Sequence, residues 1–269
     1  MKAPLSLSLV VSTFDQPDGL AKAFAGIQRQ TQPPAEILVA DDGSAEPTRQ
    51  LIEKFSKSSP VPVKHIRQPH DGFRKTLVLN KTILAATGDY LVFTDGDCVP
   101  HPKFIADHTA LAEKGFWVQG RRCFVREEFV EEFEADQMPA WSWMLAGKIT
   151  GATKGIRWPV PIIHRDTRQR GIIGCNMGFW REDVLAINGF DEDYTGWGGE
   201  DSDIGTRLYH LGRLRKFVYG RAITFHLNHP KLARSHHEAS MARLANTIAT
   251  RKICCEHGIN GHVRSQPVK

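Results

Sequence analysis

The sequence predicts an α/β protein built on a doubly wound, mostly parallel central sheet flanked by helices. Three observations lead there. Between residues 5 and 98, apolar strand-like runs alternate with segments of helical spacing, the pattern of parallel sheets with crossover helices. Three of those runs end in polar clusters, Ser12-Thr13, Asp41-Asp42 and Asp95-Gly96-Asp97, and ligands of open α/β sheets sit outside the carboxyl ends of the strands. At 269 residues, 41% apolar and 24% charged, the chain is long enough to bury a sizeable core.

The elements follow in order. LSLSLVVST (5–13) is a strand rich in leucine and valine. DGLAKAFAGIQRQ (18–30) carries Leu20, Phe24 and Ile27 at helical spacing and is broken by Pro33 and Pro34. EILVADDGS (36–44) is a second strand, PTRQLIEKFSKS (47–58) a helix and VPVKHIRQ (61–68) a third strand. FRKTLVLNKTILAATG (73–88) is a helix closed by Gly88, and DYLVFTDGDC (89–98) a fourth strand. Residues 126–149 are expected to be mostly helical, interrupted at Pro139. Residues 151–172, rich in glycine, proline and arginine, are expected to form a long loop. GIIGCNMGFWREDVLAINGF (171–190) reads as a short strand leading into a helix, EDSDIGTRLYHLG (200–212) as a helix, and RKFVYGRAITFHLNH (215–229) as short strands. HEASMARLANTIATRKICCEHG supplies a tail helix.

Bulk properties narrow the function. The net charge of +5 and pI near 9.0 suit an anionic ligand or membrane surface, and are too diffuse to point to nucleic acid. The five cysteines, Cys98, Cys123, Cys175, Cys254 and Cys255, are odd in number and form no CxxC pair. A disulfide framework or structural zinc site is therefore not expected, and a reducing compartment fits. MKAPLSLSLVVSTF lacks the long apolar core of a signal peptide. No window approaches the ~18 apolar residues of a spanning helix. A soluble or peripheral protein is expected.

The strand ends carry the chemistry. In TDGDC (94–98) two carboxylates one residue apart follow an apolar strand. Such a pair can face one divalent ion, and its hard oxygens suit Mg2+ or Mn2+. In ADDGS (40–44) a carboxylate can accept hydrogen bonds from a base imide or a ribose hydroxyl, or simply shape an Asp-Gly turn. HDGFRK (70–75) places Arg74 and Lys75 before a helix, ready for diphosphate or for solvent. In YTGWGGEDSD (194–203), Trp197 offers a flat face for a sugar ring, and the glycines let the backbone approach it. Glu200 and Asp201 then open a helix, where they also complement its dipole.

These stretches resemble family 2 glycosyltransferases of the GT-A fold. The matching segments are LVVSTFDQPDGL, ILVADDGS, HDGFRKTLVLN, GDYLVFTDGDCVPHPKF, GCNMGFWREDVLAINGFDEDYTGWGGEDSDIGTRLYHLG and TFHLNHP, which cover most of residues 5–230. GWGGED is similar to the acceptor-side motif of galactosyltransferase-like and chondroitin-polymerase-type members. The resemblance implies a single GT-A domain over 1–230, with a nucleotide-binding half (1–115), an acceptor-binding half (116–230) and a helical tail (231–269). It implies that Thr13 and Asp42 hold uridine and that Asp15 stands where many members have asparagine. Arg74 would meet the diphosphate, Asp95 the ribose or phosphate, and Asp97 and His226 the metal, with His229 as the alternative ligand. Asn176, Met177, Trp197, Gly198 and Glu200 would face donor or acceptor sugar, Met177 having core packing as its alternative. Asp201 would be the general base, an exposed and already ionised carboxylate.

The implied activity is inverting, metal-dependent transfer of a hexose or N-acetylhexosamine from a UDP-sugar donor to a hydroxyl of a glycan or lipid-linked glycan acceptor. Mn2+ or Mg2+ would be the cofactor. Bacterial lipopolysaccharide, capsule or exopolysaccharide assembly is the expected setting, cytoplasmic or peripheral at the inner face of the cell membrane. Arg157, Trp158, Arg165, Arg168 and Arg170 would either close over UDP or bind an anionic acceptor. The rival readings are a UDP-sugar- or carbohydrate-binding protein without turnover and a sugar nucleotidyltransferase. The latter normally carries a glycine-rich basic loop that STFDQPDG does not provide.

Overall fold

The computed structural model describes residues 5–137, 141–196, 198–229 and 237–263. Its elements run β1 (Leu7–Thr13), α1 (Pro17–Gln28), β2 (Glu36–Asp41), α2 (Glu46–Ser58), β3 (Val63–Arg67), α3 (Lys75–Ala85), β4 (Tyr90–Asp95) and β5 (Cys98–Pro100). Next come α4 (Phe104–Leu111), β6 (Phe116–Gln119), β7 (Arg121–Val125), α5 (Trp141–Leu145), β8 (Ile149–Thr150), β9 (Ile162–Asp166) and β10 (Met177–Trp180). The chain continues through α6 (Arg181–Ala186), α7 (Glu200–His210), β11 (Leu214–Tyr219), β12 (Ile223–Leu227), α8 (His237–Thr250) and α9 (Ile259–Val263).

The first half forms as its pattern predicts. β1, β2 and β4 are almost entirely buried, and their period-2 alternation divides the side chains between two cores. Leu7, Leu9 and Val11 of β1 join Ile37, Val39 and Val92 beneath Leu20 and Phe24 of α1. Val10, on the opposite face, joins Leu38, Ala40, Leu91 and Phe93 beneath Val78, Leu79 and Ile83 of α3.

The central sheet has the order β3-β2-β1-β4-β10-β6-β11-β9. It is mixed but mostly parallel, as expected, with only β10 and β9 reversed. β3, β2, β1 and β4 are parallel, as are β6 and β11, but β10 runs antiparallel to both β4 and β6, and β9 antiparallel to β11. The reversal of β10 has a consequence for the site. Met177, its first residue, pairs with Phe93 near the end of β4 and with Gln119 at the end of β6. The turn before β10 therefore lies at the edge where the parallel strands finish. A second sheet, β5-β12-β7-β8, leaves this edge just after the Asp-x-Asp turn.

Two segments depart from the sequence reading. Residues 126–149 are not mostly helical: among the described ones, helix is confined to short 3-10 turns at Glu127–Phe129 and Ala135–Gln137 and to α5. A regular helix would stack Glu127 on Glu131 and Glu128 on Glu132, like-charge pairs one turn apart. The chain instead wraps the second sheet, burying Phe133 and Trp143 against Phe225 and Ile149. Lys22 of α1 donates to the Glu131 and Phe133 carbonyls at 3.0 and 2.8 Å. Residues 151–172 contain β9, and two of their arginines are tied to the body: Arg157 meets Asp107 at 2.8 Å and Arg165 meets Glu113 at 3.8 Å, while Arg168 meets Asp166 within the segment at 3.8 Å.

α7 is anchored by a buried ion pair. Arg207 Nε donates to Asp203 at 2.7 Å, with both side chains 1% exposed. Arg207 also donates to the Ile187 carbonyl, and Asp203 accepts from Thr247 of α8. Removing one partner strands the other charge in the core. Arg207→Met is expected to lower the unfolding free energy by about 3–5 kcal/mol in denaturant titration. A loss below about 1 kcal/mol would show that the pair does not anchor the helix.

Candidate active site

Six chain segments meet at the carboxyl edge of the central sheet: the ends of β1 and β2, the Asp-x-Asp turn after β4, the turn before β10, and the first turns of α3 and α7. Asp95 accepts from Ser12 Oγ at 2.6 Å and from Lys75 Nζ at 2.8 Å. Lys75 is the first residue of α3. Burial disfavours its charge, but Asp95, Asp201 and Glu200 together hold its pKa above the ordinary lysine value.

Asp201 lies opposite, on the first turn of α7. Its Oδ2 accepts the Gly174 N–H at 2.8 Å. A Cβ at Gly174 would fall 2.2 Å from Oδ1 and 2.4 Å from Oδ2, so only glycine lets the carboxylate sit on that amide. Ser12, Lys75, Asp95, Gly174, Met177 and Asp201 line one small cavity. The expectation of an exposed, ordinary acid at 201 is corrected. Burial pushes the Asp201 carboxyl up and Asp95 adds to the rise, with Lys75 opposing. Glu200 is 5% exposed, and its Oε2 is buried with no partner among the described residues. Burial first, then the Asp201 charge, pushes Glu200 up to about 8. The two adjacent carboxyls are thus both raised, Glu200 by burial and Asp201, and Asp201 by burial and Asp95.

The Asp-x-Asp turn also carries Asp97. Its Oδ2 lies 3.0 Å from His229 Nε2 and 3.3 Å from His226 Nε2. The three ligand atoms stand within 4.8 Å of one another. β5–β12 pairing brings His226 opposite Cys98. Burial lowers the His226 pKa, against the pull of Asp97, so the ring is neutral and its lone pair free to ligate. Its Nδ1 is buried with no partner among the described residues. One carboxylate and two imidazoles fit Mn2+ or a similar divalent ion. Sequence left His226 and His229 as alternatives; the fold brings both to Asp97.

The rim by β1 and β2 is polar and aromatic. Asp42 accepts from Gln68 Nε2 at 2.6 Å and from the Arg74 backbone N–H at 2.8 Å. Asp41 is instead a turn former, accepting from the Ser44 N–H at 2.7 Å and from His65 at 2.8 Å. Thr13 is buried and its hydroxyl has no partner among the described residues. Asp15 takes a left-handed backbone, φ 44°, and its carboxylate accepts the Ala45 N–H at 2.6 Å. Phe14 and His70 stack beside Asp42 with centroids 4.3 Å apart. Sequence reasoning missed this pair, because the two rings lie in separate loops and only tertiary packing brings them together.

Other expectations need correction. Asn176 does not face a sugar: it is fully buried, donates to the Arg121 and Ala222 carbonyls, and bonds His108 at 2.9 Å. Met177 is a core residue packed with Phe93 and Phe179, its open alternative, although it touches the small cavity. The Arg74 guanidinium turns outward onto Asp71, and Lys75 takes the inward position. Gly198 has φ 97° and turns the chain into α7. Trp197 lies outside the described residues. Arg122, not marked by any motif, places Nη1 3.5 Å from Cys175 Sγ.

The raised carboxyl of Glu200 makes a pH prediction. A folded-state pKa of about 8 against an ordinary glutamate value of 4.5 means that the folded protein binds the proton more tightly than the unfolded chain. That contribution to stability is present at low pH and lost as pH rises through the window. Glu200→Gln is therefore expected to gain stability relative to wild type between pH 5 and 8 in parallel denaturant melts. A difference independent of pH would show that Glu200 ionises normally.

Comparison with known proteins extends these observations. The family model described as Glycosyl transferase family 2 matches residues 8–179, and one described as N-terminal domain of galactosyltransferase matches residues 160–230. The chain is 27% identical over 243 residues to the chondroitin synthase of Escherichia coli, covering 83% of this chain and 35% of that protein. This chain thus spans about a third of that relative's length. The mannosyltransferase PcManGT from Pyrobaculum calidifontis, solved with GDP-Man and Mn2+, superposes with a TM-score of 0.60 at 16% identity, covering 99% of this chain and 66% of that one. GalNAc-T7, solved with UDP, GalNAc and Mn2+, superposes at 0.67 with 14% identity, over 92% of this chain and 48% of that one. Those likenesses show the GT-A fold. Since the first model takes in most of the central sheet and the strand-end carboxylates, the chain belongs to glycosyl transferase family 2.

Proposed function

We propose that this chain transfers a hexose or N-acetylhexosamine from a UDP-sugar to a glycan hydroxyl, with inversion and with a divalent metal. The observation that carries the reading is the placement of Asp201: a half-buried carboxylate fixed on the Gly174 amide, across from the Lys75–Asp95 pair and in the same cavity.

In this reading, Asp201 takes the proton of the acceptor hydroxyl as its oxygen attacks the anomeric carbon. The bond from that carbon to the diphosphate oxygen breaks on the opposite side, and configuration inverts. The raised pKa of Asp201 makes it a stronger base than an exposed aspartate, suited to proton abstraction near neutral pH. Glu200 and Gly198 line the sugar side, with Trp197 assigned there by its motif. Thr13, Asp15 and Asp42 serve the nucleoside, the Phe14–His70 stack giving a flat surface beside Asp42. Lys75 faces the developing diphosphate charge, the role first assigned to Arg74. A Mn2+ or Mg2+ ion held by Asp97, His226 and His229 would supply positive charge to the leaving diphosphate.

The donor assignment is supported by the UDP and GalNAc bound in GalNAc-T7. A role in bacterial polysaccharide assembly at the cytosolic face of the membrane is supported by the likeness to chondroitin synthase. No helix of the described residues is long and apolar enough to cross a membrane, and any membrane contact in this reading is peripheral.

The test uses purified protein, a panel of UDP-sugars and oligosaccharide acceptors, with Mn2+ or with chelator. Asp97→Ala is expected to abolish metal-dependent UDP binding. Asp201→Asn is expected to keep UDP binding while lowering transfer by roughly 10²–10⁴-fold, the usual contribution of general base catalysis. Binding of UDP without turnover of any donor would favour a binding protein. Absence of UDP binding would overturn the assignment of the strand-end residues.

A further inference from the structure

We propose that Asp95, Cys98 and Cys175 form a second cation site, selective for soft or borderline ions such as Zn2+ or Cd2+. It adjoins the Asp97–His226–His229 group and does not depend on the transferase reading. A carboxylate oxygen of Asp95 and the two sulfur atoms lie within 4.8 Å of one another. Ligands around one tetrahedral zinc, at about 2.3 Å for sulfur and 2.0–2.2 Å for oxygen, stand roughly 3.3–3.8 Å apart. The existing convergence therefore needs only small side-chain movements. Cys98 and Cys175 are both buried, and Asp95 is partly open to the site edge.

Asp97 connects the two groups. Its Oδ1 is 3.4 Å from Cys98 Sγ, while Oδ2 faces the two imidazoles. A single carboxylate thus borders a sulfur-rich set on one side and a nitrogen-rich set on the other. Ligand softness sorts ions between them: two thiolates favour zinc or cadmium, whereas carboxylate and imidazole accept manganese. The Arg122 guanidinium, 3.5 Å from Cys175 Sγ, would offset part of the negative charge that thiolate ligands bring to a bound ion. Binding displaces the thiol protons to solvent. It also draws Asp95 from Ser12 and Lys75, and ties the turn after β4 to the turn that seats Asp201. Sequence spacing hides the site because its two cysteines lie far apart along the chain, at 98 and 175.

The test measures binding directly, in full-length protein carrying Cys254→Ser to remove the exposed thiol. Cd2+ is expected to bind with one equivalent producing a thiolate-to-cadmium charge-transfer band in the ultraviolet. Cys98→Ser and Cys175→Ser, shown by cooperative melting to be folded, should each lose the band. Each should also weaken binding beyond the roughly 10–100-fold that follows loss of an outer hydrogen-bond partner. His226→Ala should keep the band. Should the cysteine variants fail to fold, X-ray absorption of the native-sequence protein with one equivalent of Zn2+ decides, with two sulfur neighbours near ~2.3 Å expected. No saturable binding, a band retained in both folded cysteine variants, or a zinc ion with only nitrogen and oxygen neighbours would overturn the proposal.

Discussion

One partly buried ammonium holds the candidate site together. Lys75 bonds Asp95 directly and lies in the field of Asp201 and Glu200. Three carboxylates in so little space repel one another strongly where water is scarce, and a single fixed cation offsets much of that repulsion. The compensation is incomplete: Asp201 and Glu200 both remain raised, whereas Asp95, in direct contact with the lysine, is lowered despite its burial. The arrangement separates two chemical tasks. The paired carboxylate stays anionic, and the unpaired ones keep a high affinity for protons, which is what a base acting near neutrality needs.

The lysine can reach these groups because of how the sheet is built. β1, β2 and β4 deliver their carboxyl ends to one edge, as parallel strands must. β10 enters from the opposite direction, so its first residues arrive at the same edge. The Gly174 amide is thereby presented to the first turn of α7, and the Asp201 carboxylate docks on it. Behind the docking turn, the Arg207–Asp203 pair and Thr247 of α8 hold α7 against the body. The second sheet completes the geometry by returning His226 on β12 to the Asp-x-Asp turn that β5 has just left.

Asp97 occupies the junction of two donor sets, with imidazoles on one oxygen and a thiol near the other. Both sets are assembled from strands distant in sequence. Their different softness gives one short turn two distinct affinities, one for hard or borderline ions and one for thiophilic ions. The family membership rests on the match over residues 8–179, whereas the thiol pair is a property of this chain's own side chains at positions 98 and 175.

Much of the first half was legible in the sequence, since local and tertiary preferences there agree. Alternating apolar strands could be placed only in a sheet covered on both faces, and their polar ends marked the site edge. Thr13, Asp42, Asp95, Asp97 and Asp201 were visible as polar residues at the ends or starts of apolar elements. The sequence did not show which neighbour turns inward. Arg74 and Lys75 are adjacent cations, and only the direction of α3 sends the lysine to Asp95 and the arginine to Asp71. Asn176 looked like a sugar ligand by its motif, but the antiparallel entry of β10 buries it among backbone carbonyls. Residues 126–149 carried helical spacing, yet their glutamates and the available surface of the second sheet favoured wrapping over coiling. By itself the sequence determined the alternation of elements and the residue types at the strand ends, because both are set by short-range periodicity. The tertiary structure decided strand direction, the pairing of charges and the meeting of Asp97 with two histidines, because those depend on long-range packing that no local spacing encodes.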